Sequence, residues 1–140
     1  MVHRATFEVA TKGRGFVDLT TRIAEIVAAS KVRVGTCSVF VRHTSASLVV
    51  QENADPAVLR DLQRWMDDAA PERPDFGAWE HDAEGPDDMP SHVRAAITKT
   101  SETIPVDAGE LSLGTWQAIY LWEHRTSAHR RTIVVTVLGE

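Results

Sequence analysis

The chain reads as a single α+β domain, a mixed or antiparallel sheet with helices packed on it. Stretches that alternate in polarity every second residue are interspersed with stretches of helical period, and no linker, repeat or change of composition divides them. The 140 residues suit one domain, with a core large enough to need no disulfide. At 43% hydrophobic and 25% charged residues, the composition is that of an ordinary globular protein.

Residues 4–10 alternate, with Ala5, Phe7 and Val9 on one side and Arg4, Thr6 and Glu8 on the other, as in a half-buried strand. Lys12-Gly-Arg-Gly15 reads as a turn. Asp18 is placed to cap a helix running to about Ser30, with Leu19, Ile23, Ile26 and Val27 as its apolar stripe. Residues 33–42 alternate again, and the lone Cys37 falls in this run as a buried strand residue. His43-Thr-Ser-Ala-Ser47 interrupts the pattern before Leu48-Val-Val50 resumes an extended segment. Asp55-Pro56 then combines a capping side chain with a proline at the first helical position. Behind it Val58, Leu59, Leu62, Trp65, Met66 and Ala69 recur at helical spacing and are expected in the core.

Residues 71–90 are rich in proline, glycine and acids, a long connection of the kind that is either functional or disordered. Trp79, His81 and Met89 favour the functional kind. Asp88 and Pro90 open a short helix with Val93, Ala96 and Ile97 expected to face inward. Residues 114–123 and 131–138 read as two strong strands, joined as a hairpin through Thr126-Ser-Ala-His-Arg130. Residues 35–50 and 114–138 are expected to supply the central strands.

The net charge of −5 speaks against a general nucleic-acid binder, which uses a basic surface to displace counterions. One cysteine makes no internal disulfide. No segment approaches the ~18 apolar residues of a membrane span, and the N-terminal residues lack an apolar signal core. The expectation is a cytoplasmic protein with no nucleic-acid or membrane partner.

Four polar clusters interrupt the core periodicity, each with a histidine. His43-Thr-Ser-Ala-Ser47 offers hydroxyls and backbone amides in a bend, a geometry that suits phosphate or carboxylate, and also that of a plain satisfied turn. Glu80-His81-Asp-Ala-Glu84 and Asp87-Asp88-Met-Pro-Ser-His92 bring imidazoles and carboxylates together, the ligands of zinc or a similar divalent ion. Asp87 and Asp88 are also able to hold Mg²⁺ or to orient a metal ligand, while a solvated acidic surface would look the same. Glu123-His124-Arg125 ends a strand at a sheet rim, where Arg125 is suited to fork onto phosphate oxygens or to make a rim salt bridge.

Together these segments resemble the YjbQ-like family, also called the secondary thiamine-phosphate synthase family. The motifs are Gly13-Arg-Gly-Phe16, His43-Thr-Ser-Ala-Ser-Leu48 with Glu52-Asn-Ala-Asp55, His81-Asp-Ala-Glu-Gly-Pro-Asp-Asp-Met-Pro-Ser-His92, Ile104-Pro105, Gly114-Thr-Trp-Gln117 and Glu123-His-Arg125. The resemblance implies a homotrimer with sites near subunit contacts. It also implies a weak thiamine-phosphate synthase-like transfer, joining hydroxymethylpyrimidine diphosphate to thiazole phosphate with release of pyrophosphate. A divalent metal, zinc or else magnesium, is implied on His81, His92 and His124, with His43 as a fourth candidate. On this reading His43, Asp87, Asp88 and Glu123 are catalytic, and Thr44, Ser45, Ser47 and Arg125 bind the phosphate of a small phosphorylated substrate. Two alternatives remain: a metal-dependent hydrolase of a phosphorylated small molecule, which the same ligands would serve, and a non-catalytic trimeric module that binds an anion or metabolite through the Thr/Ser bend and Arg125 with no general acid or base.

Overall fold

A computed structural model describes all 140 residues, with eight strands and three helices. The strands are β1 (Val2–Ala10), β2 (Gly15–Asp18), β3 (Gly35–Val41), β4 (Ala46–Glu52), β5 (Ser101–Asp107), β6 (Glu110–Leu111), β7 (Gln117–Glu123) and β8 (Arg130–Gly139). The helices are α1 (Thr20–Ser30), α2 (Pro56–Ala69) and α3 (Asp88–Ala96).

All strand pairs are antiparallel, but they form two sheets, ordered β1-β8-β3-β5-β6 and β2-β7-β4. The α+β class is as expected; the single sheet is not. The alternating strands bury one side, as in β8, where Arg131, Ile133, Val135 and Val137 are buried between less buried neighbours. Inward residues from both sheets and from α1 merge into one core of 18 side chains. Cys37 lies in it, and burial pushes its thiol pKa up to about 11.

The expected hairpin between residues 123 and 131 is corrected, because β7 and β8 lie in different sheets and residues 124–129 carry the chain from one to the other. The crossing recurs. Residues 11–14 lead from β1 to β2, and residues 42–45 from β3 to β4. The register places all three crossings at one rim, since Gly15 and Ala46 both pair with Glu123, while Ala10 pairs with Arg130 and Val41 with Ile133.

Asp55 caps α2 as expected, its Oδ1 accepting from the Ala57 amide at 2.9 Å. The α2 stripe is only partly core. Met66 is buried and Gln63 receives the Trp122 indole N–H at 2.9 Å, which turns Trp65 outward to 61% exposure. In α3 the buried face is Asp88, Ser91, Arg94 and Ala95, and the expected inward residues Ala96 and Ile97 are exposed. The reason is polar: the Arg94 guanidinium donates to Asp67 Oδ1 at 2.8 Å and to the Ala70 carbonyl at 3.0 Å, so the helix docks through its arginine. No helix is long and apolar enough to cross a membrane.

Candidate functional site

The crossings explain why motifs far apart in sequence meet. A strand that leaves its sheet ends its backbone ladder there, so the crossing residues satisfy one another through side chains. The His43 and His124 motifs are two of these crossings, and residues 71–87 with α3 carry the other two clusters to the same rim.

His81, Asp88 and His92 come together, with their ligand atoms all within 4.8 Å of one another. His81 Nε2 is 3.0 Å from Asp88 Oδ2 and His92 Nε2 is 3.1 Å from Asp88 Oδ1. The other nitrogen of His92, Nδ1, is 2.9 Å from the Thr44 carbonyl oxygen. A carbonyl only accepts, so His92 carries a proton on Nδ1. In the neutral ring Nε2 is then a lone pair facing a carboxylate oxygen, an arrangement that calls for a proton or a cation between them. A backbone carbonyl fixing the far nitrogen is also how metal-bound histidines are commonly oriented. Burial opposes the charge on Asp88, but the Glu84 amide, His81, Arg125 and His92 outweigh it and hold its pKa below the usual carboxylate value.

Beside this cluster His43, Thr44, His92, Ala95, Ala96 and Thr100 line a cavity of about 280 Å³. The Thr132 amide donates to His43 Nε2 at 2.8 Å, so that nitrogen is unprotonated and the proton of the neutral ring is on Nδ1. Burial, then the Arg131 charge, lower the His43 pKa and favour that neutral form.

The remaining expected residues separate. Glu123 ends β7 and His124 follows it, and the two buried side chains take different partners. Glu123, 0% exposed, accepts from Arg131, from Thr11 Oγ1 at 2.7 Å and from the His124 and Arg125 amides at 3.0 and 3.1 Å. Burial works against its charge, but Arg131 and these donors hold its pKa down. Both oxygens are taken, which makes Glu123 a tie between the sheets and leaves none for a substrate. His124 is not brought to His81 and His92. Its Nε2 is 2.8 Å from Ser47 Oγ, and its ring lies 5.3 Å from that of Trp122.

Arg125 is also spoken for. It donates to Asp87 Oδ2 at 2.9 Å, to Glu84 Oε2 at 3.2 Å and to the Glu84 carbonyl at 2.9 Å. Asp87 Oδ2 accepts from the Thr126 amide as well, at 2.8 Å. Burial opposes the Asp87 charge, but Arg125 and Thr126 hold its pKa far below the carboxylate range. The pair clamps the loop that delivers Asp88. Of the Thr/Ser bend, only Thr44 lines the cavity; Ser45 and Ser47 are buried, Ser45 through its carbonyl oxygen, which accepts from Arg131 at 3.2 Å.

Sequence reasoning passed over Arg131, Thr11, Arg14 and Arg94. Arg131 had a legible signal: it shares the parity of Ile133, Val135 and Val137, so an inward arginine at a strand start called for an inward acid. Thr11 and Arg94 had none, because each is buried by contacts with distant segments, and Arg14, partly exposed, was legible only as part of Gly13-Arg-Gly-Phe16.

Two antiparallel sheets over one core, with histidines and a carboxylate gathered where the chain crosses between them, define a small α+β domain with a His-Asp-His rim site. The family model described as UPF0047 protein YjbQ-like matches residues 5–140, and the chain belongs to that family. A UPF0047 protein of Synechocystis is 49% identical over 138 residues, covering 99% of this chain and 92% of its own. The UPF0047 protein YjbQ of Escherichia coli O157:H7 is 40% identical over 141 residues, covering both chains completely. Among solved structures, a YjbQ/UPF0047 family protein of Clostridium acetobutylicum superposes with TM-score 0.86 at 32% identity over 96% of this chain and 99% of its own. A YjbQ-like protein of Sulfolobus solfataricus does so with TM-score 0.86 at 25% identity over the whole of both chains.

Proposed function

We propose that this domain holds a divalent cation on His81, Asp88 and His92 and acts on a small phosphorylated substrate in the adjoining cavity. The observation that carries the proposal is the His92 ring, held through Nδ1–H by Thr44 so that the Nε2 lone pair faces Asp88. Two imidazoles and one carboxylate suit zinc better than magnesium, which prefers oxygen ligands. Three protein ligands also leave coordination positions for substrate or water. A cation there supplies charge neutralisation for a departing diphosphate.

The proposed reaction is a weak thiamine-phosphate synthase-like transfer. The C–O bond of hydroxymethylpyrimidine diphosphate breaks with its electron pair leaving on pyrophosphate, and the thiazole nitrogen of the second substrate forms the new C–N bond. His43 Nδ1–H and Thr44 would orient the substrate, and the Asp87–Arg125 clamp holds Asp88 in place. A homotrimer in the cytoplasm, with no nucleic-acid partner, completes the proposal.

A second reading, non-catalytic binding of a phosphorylated metabolite, is favoured by the way arginines occupy Asp87 and Glu123. Of the residues expected to be catalytic, His43 is the one that lines the cavity. A hydrolase would instead release inorganic phosphate from its substrate, so a product screen with phosphorylated compounds separates the three.

The first test is metal content. Protein purified without a metal-binding tag should carry about one zinc per chain, and His81→Ala and His92→Ala should each lose it while keeping the wild-type circular dichroism spectrum. Wild-type protein that stays metal-free after zinc is added back would refute the metal site.

A further inference from the structure

The cavity beside His43 is one of two that meet the His81-Asp88-His92 cluster. His92 lines that first cavity; His81 lines a second, of about 350 Å³, and no residue lines both. The two imidazole rings are 5.1 Å apart, and each lies against one oxygen of Asp88. The cluster therefore lies between two compartments. Each is near the lower end of the size range of ligand pockets, about 300 Å³, which suits one small molecule or ring.

The loop that encloses the second cavity is tied down at both ends. Glu72 Oε1 is 3.9 Å from Arg14 Nη2 at one end, and Arg125 takes Glu84 and Asp87 at the other. Between them the Trp79 indole N–H donates to the Pro71 carbonyl at 3.3 Å, and the Phe76 ring meets Trp79 edge-to-face, at 4.9 Å and 85°. These two contacts fix the plane of an indole that lines the cavity and is only half-buried. A held aromatic plane beside open space is a stacking platform for any flat ring. Two charged side chains of the wall supply the selection. Arg73 and Asp82 are both exposed, and neither makes an ion pair within the chain. A guanidinium only donates hydrogen bonds and a carboxylate only accepts them. Together they ask for a ring whose edge carries an acceptor beside a donor, as a ring nitrogen next to an amino group does.

We infer that this second cavity is a binding compartment for a flat nitrogen heterocycle bearing an amino group, stacked on Trp79 with its polar edge on Arg73 and Asp82. The inference deepens the function proposed above and rests on it for the cation and the phosphorylated ligand; the compartment itself is built by the loop and needs neither. With a compartment on either side of His81-Asp88-His92, one reactant enters on the His92 side and the other on the His81 side, and the cation lies where they meet. Two compartments suit a transfer between two ring compounds, whereas a hydrolase needs a single organic substrate.

The test follows the indole N–H nuclear magnetic resonance of Trp79, assigned by its absence in Trp79→Phe, while 4-aminopyrimidine is titrated into zinc-loaded and into chelator-treated protein. A saturable shift of that resonance is expected in both samples. Asp82→Asn and Arg73→Gln should each weaken binding by about fivefold or more. Both side chains are exposed and make no ion pair, so these variants should keep the wild-type circular dichroism spectrum and metal content. Benzyl alcohol, a flat ring without nitrogen, should bind about tenfold more weakly or worse. No saturation by about 20 mM, a shift seen only with zinc bound, unchanged affinity in either charge variant, or equal affinity for benzyl alcohol would each overturn the compartment, whatever the metal content. A saturable shift in protein that never takes up zinc would keep the compartment and refute the cation alone.

Discussion

His124, sealed from solvent, keeps a neutral imidazole where a surface histidine would titrate. Burial first, then the Arg94, Arg131 and Arg14 charges, lower its pKa from 6.5 to about 3, against a smaller opposing effect of Glu123. Above pH 6.5 neither the folded nor the unfolded ring is protonated and stability is unaffected. As pH falls through 6.5 the unfolded chain takes up a proton that the folded chain refuses, down to about pH 3. Stability should therefore drop by about 1.4 kcal/mol per pH unit for this group. His43, also lowered, adds to the loss in the same window. Urea unfolding at pH 7, 6 and 5 should show the slope, and His124→Gln should make it shallower; an unchanged slope would place the acid sensitivity elsewhere.

At the level of elements, β3 and β8 approach closely at their ends. A Cβ at Gly35 would lie 1.9 Å from the Leu138 carbonyl oxygen, a backbone atom with no freedom to move aside. Gly35→Ala should cost about 3 kcal/mol or more, read as a lower thermal midpoint; a wild-type midpoint would mean that the strands part easily. Legibility followed length. β1, β3 and β8 announced themselves because seven or more alternating residues leave few alternatives, and Asp55-Pro56 marked α2. β2 and β6, with four residues and two, are too short to show a period. β5 was hidden by Pro105, which is tolerated because β6 pairs only from Val106 onward and Pro105 lies at an edge. Residues 124–129 resemble any polar turn, and nothing local distinguishes a hairpin from a passage between sheets. The site was legible to the same degree. His81 and His92 lie on the segment that reaches the rim, whereas Glu123-His124-Arg125 read as one motif and is split among three different sets of partners.

For the molecule as a whole, the exposed large apolar residues include Trp65, Phe76, Ile97 and Trp116, each more than half exposed. The trimer proposed above would cover such residues where they are contiguous. Sedimentation at micromolar concentration should give a species of three chains, and a monomer across that range would exclude it. The β8 strand carries a further consequence. It lies between β1 and β3, and the Met1 amino group reaches the Gly139 carbonyl at 3.0 Å, so the two ends of the domain meet. A ribosome delivers this interior strand of the larger sheet after all its other strands: until residues 130–139 emerge, β1 and β3 have no strand to share. Folding of this domain therefore waits for residues 130–139, and a nascent chain halted before Arg130 is a client for chaperones rather than a smaller version of the domain.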